Sequence, residues 1–193
     1  LTTAFLLTGH GIHMTFLPLL ASDIGLSQTV IGISGSAYFA GFISGTMMTP
    51  YIIAKVGHIR SFTTLMALFL CCFQILPMTD SSALWILIRF SLGAVMCGAY
   101  TVVESWLSDQ ADTRTHGRVL AVYTVVVLAA MALGQGLLSL TYGEAARVLA
   151  LISILIGCAI IPVSLTSSLA PAPVPATRID FLKLYRRSHT AFA

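Results

Sequence analysis

Charge is what this sequence has least of. Asp, Glu, Lys and Arg make up 9% of its 193 residues, where an ordinary soluble domain carries about 25%. Hydrophobic residues make up 57%, and mean hydropathy is +0.93. So few polar groups cannot coat a water-soluble globule of this size, which argues against a soluble enzyme. The net charge of +3 is scattered between long apolar runs and is not gathered into the basic stripe that a nucleic-acid binder needs. No nucleic-acid partner is expected.

Cysteine is also scarce. Cys71, Cys72, Cys97 and Cys158 lie in apolar stretches without the paired spacing of a metal site, so they read as free buried thiols, with no metal and no cofactor called for. There is no initial Met, no basic leader and no small-residue cleavage site. The expectation is that the first span has lost its start, and the abrupt stop after Phe192 suggests a piece of a longer protein. Nothing repeats at a period of 20 to 50 residues, although spans one to three and four to six could be diverged three-helix repeats.

Long apolar runs are abundant. A helix needs roughly 20 mostly apolar residues to cross a bilayer, where unpaired backbone groups cannot be left in hydrocarbon. Six stretches qualify, at approximately 1–20, 29–53, 61–78, 83–107, 117–140 and 146–169. The breaks between them are short, so consecutive helices must run antiparallel. The fold expected is an all-α membrane protein, a six-transmembrane-helix bundle over 1–169. Residues 170–193 follow as a Pro-rich linker, Ala170-Pro-Ala-Pro-Val-Pro-Ala176, and a basic run, Phe181-Leu-Lys-Leu-Tyr-Arg-Arg187. The linker favours an extended chain. The run suits either a helix lying on the membrane surface or an ordinary juxtamembrane anchor.

Sorting the cations by side gives an orientation. Lys55, Arg60, Arg114, Arg118, Arg178, Lys183, Arg186 and Arg187 fall on one side and Arg147 on the other, where Glu144 can pair with it. Lys and Arg are retained in the cytoplasm, so that side and the N-terminus are expected to be cytoplasmic.

One cation is left within a span. Arg89 costs roughly 2.5 to 3.5 kcal/mol on insertion scales and must face protein or water. At helical spacing it shares a face with Gly93, Met96, Tyr100 and Glu104. The competing reading has Arg89 snorkelling outward, with Glu104 merely ending the helix. His10 and His13 share a face of the first span, in Thr8-Gly-His-Gly-Ile-His-Met-Thr15. They could carry a coupling proton or hold a substrate, or simply bond two helices together. Tyr38 and Gln135 add polar groups at membrane depth. Together these residues suggest a polar pathway through an apolar bundle. Small residues at Gly41 and Gly45, Ala94 and Gly98, and Gly134 and Gly136 would let helices approach closely, either as static packing or as sliding faces.

The residues resemble the major facilitator superfamily of secondary transporters, over essentially the whole chain. That family joins its second and third helices with G-x-x-x-D-R/K-x-G-R/K-R/K. Here the stretch from Pro50 to Arg60 keeps Lys55, Gly57 and a displaced Arg60, but has Pro50 for the first glycine and Ala54 for the acid. The fourth-helix motif R-x-x-x-G is met by Arg89 and Gly93. The strings Val103-Glu-Ser-Trp106, Arg114-Thr-His-Gly-Arg118 and Leu133-Gly-Gln135 look like the YcaD-like branch of bacterial transporters. The resemblance implies the N-terminal half of the fold, built as 3+3 inverted repeats, in a bacterial inner membrane. A second six-helix half would be absent from this chain, with the basic run as the central loop and Ser188 starting a seventh helix. It implies a cytoplasmic gate of Lys55, Gly57, Arg60, Glu104 and Arg118, in which Glu104 pairs with Arg60 or with the competing Arg118.

The function expected is therefore secondary active transport of a small solute by alternating access, with protons as a candidate coupling ion. His10, His13, Tyr38, Arg89, Tyr100 and Gln135 would line the pathway. Two alternatives remain. Gly32-Ile-Ser34-Gly35 matches the G-x-S-G string of rhomboid intramembrane proteases, in which Ser34 would need a histidine as base. A non-transporting sensor or scaffold would instead use the basic tail to hold a partner.

Overall fold

The computed structural model describes residues 1–111, 115–141 and 143–166. The linker, the basic run, Arg114 and the last residues expected for the sixth span lie outside the described residues. Among the described residues, six helices are long and apolar enough to cross a membrane. They are α1 (Thr2–Asp23), α2 (Gln28–Val56), α3 (His58–Ile75), α4 (Ser82–Gln110), α5 (His116–Thr141) and α6 (Ala145–Ser164). One turn of 3-10 helix, Leu76–Met78, extends α3.

Local chemistry sets several of these boundaries. Ser27 and Ser81 cap α2 and α4 by accepting from the backbone N–H of Val30 and Leu84, which satisfies donors that a helix start leaves open. Gly57 separates α2 from α3 with φ 83° and ψ 170°, a conformation essentially restricted to glycine. Pro18, Pro50 and Pro162 lie inside helices, which membrane helices tolerate because neighbouring groups re-satisfy the freed carbonyls. Serine and threonine hydroxyls along the spans donate hydrogen bonds to carbonyls one turn back, as Ser44 does to Gly41 and Thr101 to Cys97.

Packing follows the exchange of one three-helix set for the other. Helix α1 packs on α5 and α6, α4 packs on α2 and α3, and α3 meets α6. Exchanging α1–α3 for α4–α6 turns this pairing pattern into itself. Four of the close approaches obey the same exchange. Gly41 of α2 faces the Phe90 carbonyl of α4, and Gly93 of α4 faces the Tyr38 carbonyl of α2. In the other pair, Gly134 of α5 faces the Thr8 carbonyl of α1, and Gly11 of α1 faces the Met131 carbonyl of α5. A side chain at any of these four positions would collide with backbone, so the glycines set how near the helices come. The bundle has the architecture of the N-terminal half of a major-facilitator fold.

Two expectations about small residues and thiols need correction. Gly136 has nothing within 4 Å of where a Cβ would stand, because it points away from the α1 contact that Gly134 makes. Cys71 is exposed and only Cys97 is buried, since Cys71 falls on the outer face of α3.

The core lies between α1, α3, α4 and α6, with Phe62, Met66, Phe69, Phe73, Leu92 and Ile152 essentially sealed. Helices α2 and α5 are less covered. Ala130, Gly134 and Leu138 form the single buried stripe of α5, while Leu128 and Ile43 are 64% and 66% exposed. Apolar surface on that scale is a liability in water and ordinary in a bilayer.

Candidate functional site

Polar side chains from three helices converge inside the bundle. Helix α1 carries His10 and His13 on the face turned toward α2, α3 and α4. The two imidazoles stack with centroids 5.7 Å apart. His10 lies 6.4 Å from the Tyr38 ring of α2 and 5.9 Å from the Tyr100 ring of α4. His13 lies 6.0 Å from Tyr38 and is walled by Phe69 and Phe73 of α3, at 5.3 and 5.8 Å. Phe42 closes the group against Tyr38 and Tyr100.

Arg89 enters this cluster from α4. Its guanidinium carbon stands 4.8 Å from the centre of the Tyr38 ring, and the residue is 4% exposed. It turns inward and does not snorkel. A cation over an aromatic face gains roughly 0.5 to 2 kcal/mol, most when desolvated. Gly93, one turn along, admits the Tyr38 carbonyl to the surface of α4. Both members of R-x-x-x-G therefore act on the same residue of α2. Arg89 Nη1, Tyr38 OH, His10 Nδ1 and both ring nitrogens of His13 are buried with no hydrogen-bond partner among the described residues.

Five of the six pathway residues named from the sequence thus meet. The sixth does not: Gln135 is exposed on α5, because the neighbouring Gly134 supplies the contact with α1. Phe69 and Phe73 were not singled out in advance, since apolar residues on an apolar helix give no signal of what they enclose.

At the end of the bundle where α2 meets α3 and α4 meets α5, the expected Glu104–Arg60 pair is not formed. Glu104 accepts a hydrogen bond from Tyr123 OH of α5 at 3.2 Å, and no ion pair joins it to Arg60 or Arg118 among the described residues. Lys55 and Arg60 are exposed, which gives their long side chains water as an alternative partner. The α3–α4 junction is instead held by His58. Its Nε2 lies 3.1 Å from Ser105 Oγ and 3.8 Å from Asp109 Oδ2, with Trp106 beside the ring at 6.3 Å. A sequence signal for His58 existed: it follows Gly57 where the helix-two-to-three motif carries its next cation. At the opposite end, Arg147 and Glu144 form the anticipated pair at 2.8 Å.

Ser34 does not have the surroundings of a nucleophile. Its hydroxyl donates to the Ile31 carbonyl of its own helix at 2.8 Å, and no imidazole bonds to it among the described residues. Among the described residues, no group of three His, Cys, Asp or Glu converges as a metal site.

Residues 1–190 match the sequence profile of the Major Facilitator Superfamily. The chain belongs to this family. It is also 31% identical over 152 residues to proteins named "Uncharacterized MFS-type transporter YcaD", among them those of Escherichia coli K12 / DH10B and Escherichia coli O157:H7. The alignment covers 79% of this chain and 40% of each relative. The chain thus spans about 40% of the length of the curated major-facilitator relatives it matches. With six apolar helices of crossing length, it is a multi-pass integral membrane protein.

Proposed function

We propose that this chain is the N-terminal half of a secondary transporter that moves a small solute by alternating access. The cluster of Arg89, Tyr38, Tyr100, His10 and His13 is the substrate-handling element. The observation that carries this reading is the burial of Arg89 within an apolar span, against the Tyr38 ring that His10 and His13 also border. A scaffold has no need of a cation there, and burying one without a carboxylate is costly. The partner half, contributed by a longer protein, would lie against the sparsely covered faces of α2 and α5. Gln135 on the open face of α5 would meet that partner and not the cluster.

The positive-inside bias supports an N-terminus on the cytoplasmic side of a bacterial inner membrane. In that orientation His58, Ser105 and Asp109 belong to the cytoplasmic gate with Lys55, Gly57, Arg60, Glu104 and Arg118. Proton coupling is the second part of the proposal, carried by two histidines whose ring nitrogens have unused bonding capacity.

The test is solute flux in vesicles containing the full-length protein, profiled for uptake and efflux, with wild type beside Arg89→Ala and His13→Ala. Both substitutions should abolish or strongly reduce flux of the solute that wild type moves. Unchanged flux in both would remove the cluster from the pathway. A flux that ignores an imposed pH gradient would remove the proton.

A further inference from the structure

Among the described residues, the cluster around Arg89 holds one fixed positive charge and no negative one. The acids of the described spans and loops are engaged or placed elsewhere. Glu104 accepts a hydrogen bond from Tyr123, Asp109 lies 3.8 Å from His58 and Glu144 pairs with Arg147, while Asp23 ends α1 and Asp80 lies in the connection before α4. Stacking over Tyr38 compensates a guanidinium only in part, because an aromatic face is a weaker partner than a carboxylate.

Around that charge stand neutral groups with hydrogen-bonding capacity to spare. They are Tyr38 OH, His10 Nδ1 and the two ring nitrogens of His13, all buried and all without a protein partner among the described residues. A phenol donates, and a neutral imidazole donates through one nitrogen. The walls are apolar, formed by Phe69, Phe73 and Phe42. Attraction between opposite charges is strongest in such surroundings. Because Arg89 Nη1 is buried among these side chains, what neutralises it must reach into the cluster.

We infer that Arg89, Tyr38, His10 and His13 form a binding site for one monovalent anionic group, taken either from a free halide ion or from the carboxylate of a small solute. Arg89 supplies the charge, and Tyr38 with the histidines supplies neutral donors. With its histidines neutral the site prefers a single negative charge, since a second would have no fixed cation to meet it. The inference rests on the transport reading only in making the anion a cargo; occupancy of the site is a separate matter and is read at equilibrium.

The test is thermal unfolding of the full-length protein in detergent, in sodium chloride, sodium acetate, sodium benzoate or sodium sulfate at matched ionic strength. Equilibrium binding of radiolabelled chloride and benzoate is measured alongside. Wild type should show a saturable rise in midpoint with chloride or with the carboxylates, above that in sulfate, because a ligand that binds only the folded state stabilises it. A response to chloride assigns the free ion, and a response to the carboxylates alone assigns the solute group. The rise should persist in Arg147→Gln, which removes an exposed cation, and disappear in Arg89→Gln. Arg89→Lys keeps the charge but loses the planar fork, and should weaken binding by about tenfold or more. The label measurement on wild type needs no variant to fold. Absence of saturable binding of either label, or an anion response that survives Arg89→Gln, would overturn the site. Neither result depends on flux, so a protein that binds the anion but moves no solute would defeat the transport reading and leave this one standing.

Discussion

Arg89 and Tyr38 are joined twice. The guanidinium of Arg89 lies over the Tyr38 ring, and the glycine one helical turn beyond Arg89 receives the Tyr38 carbonyl. The side-chain contact requires the backbone contact, since the ring reaches the guanidinium only when α2 and α4 are close. A short sequence motif on one helix thus fixes both the separation of two helices and the position of a buried charge.

Substitutions at Tyr38 separate the ring from the hydroxyl. Tyr38→Phe keeps the aromatic face and should leave the thermal midpoint of the full-length protein close to wild type. Tyr38→Leu removes the face and should lower stability by about 0.5 to 2 kcal/mol beyond the loss from repacking alone. Unfolding followed by intrinsic fluorescence in detergent checks both. Equal loss in the two variants would mean that the hydroxyl, not the ring, holds Arg89.

The junction of α3 and α4 should couple through His58 more than through Arg60. Ser105→Ala removes the hydrogen-bonding partner of a histidine that is 1% exposed, and should cost about 1 to 3 kcal/mol. Asp109→Asn should cost less, about 1 kcal/mol or under, because the carboxylate is partly exposed and 3.8 Å away. A double-mutant cycle between His58 and Ser105 should give a measurable coupling energy, and one between Glu104 and Arg60 none. The opposite pattern would restore the Glu104–Arg60 latch.

Gly57→Ala tests the junction of α2 and α3 without crowding anything. No atom lies within 4 Å of the added methyl group, so the effect comes from the backbone alone. At φ 83° and ψ 170° an alanine should cost about 1 to 3 kcal/mol. A midpoint equal to wild type would mean that the junction has rotated to a different conformation.

That the chain forms six apolar helices of crossing length was legible in the sequence, because a bilayer imposes a length and a composition that few other structures satisfy. Arg89 and the histidines were legible for the same reason: in so apolar a chain each polar residue stands out. The partners of these residues were harder to read. Gln135 and Gly134 are adjacent, and which of the two faces α1 depends on helix rotation, which a nearly uniform apolar pattern does not encode. Glu104 has several cations within plausible reach, and its choice of Tyr123 reflects how α4 and α5 meet, a tertiary fact without a local signature. His58 was the accessible exception, since its place after Gly57 marks it.

The paired glycines make the most discriminating prediction about the fold. Gly41, Gly93, Gly11 and Gly134 each face a carbonyl of a neighbouring helix, whereas Gly35 and Gly136 face open space. Alanine at any of the first four must push backbone away, and backbone cannot rotate aside as a side chain can. Each should cost about 1 to 3 kcal/mol or more, seen as a lowered midpoint and a smaller monodisperse fraction in size-exclusion chromatography. Gly136→Ala should be neutral or slightly stabilising, because it raises helix propensity without meeting a neighbour. The exchange relating α1–α3 to α4–α6 sharpens the test. Gly93 and Gly11 hold corresponding places in the two sets, as do Gly41 and Gly134, so the losses should be similar within each pair. A large loss at Gly93 beside none at Gly11 would mean that the α1–α5 contact is looser than its geometry indicates, and that the two three-helix sets are not equivalent in energy.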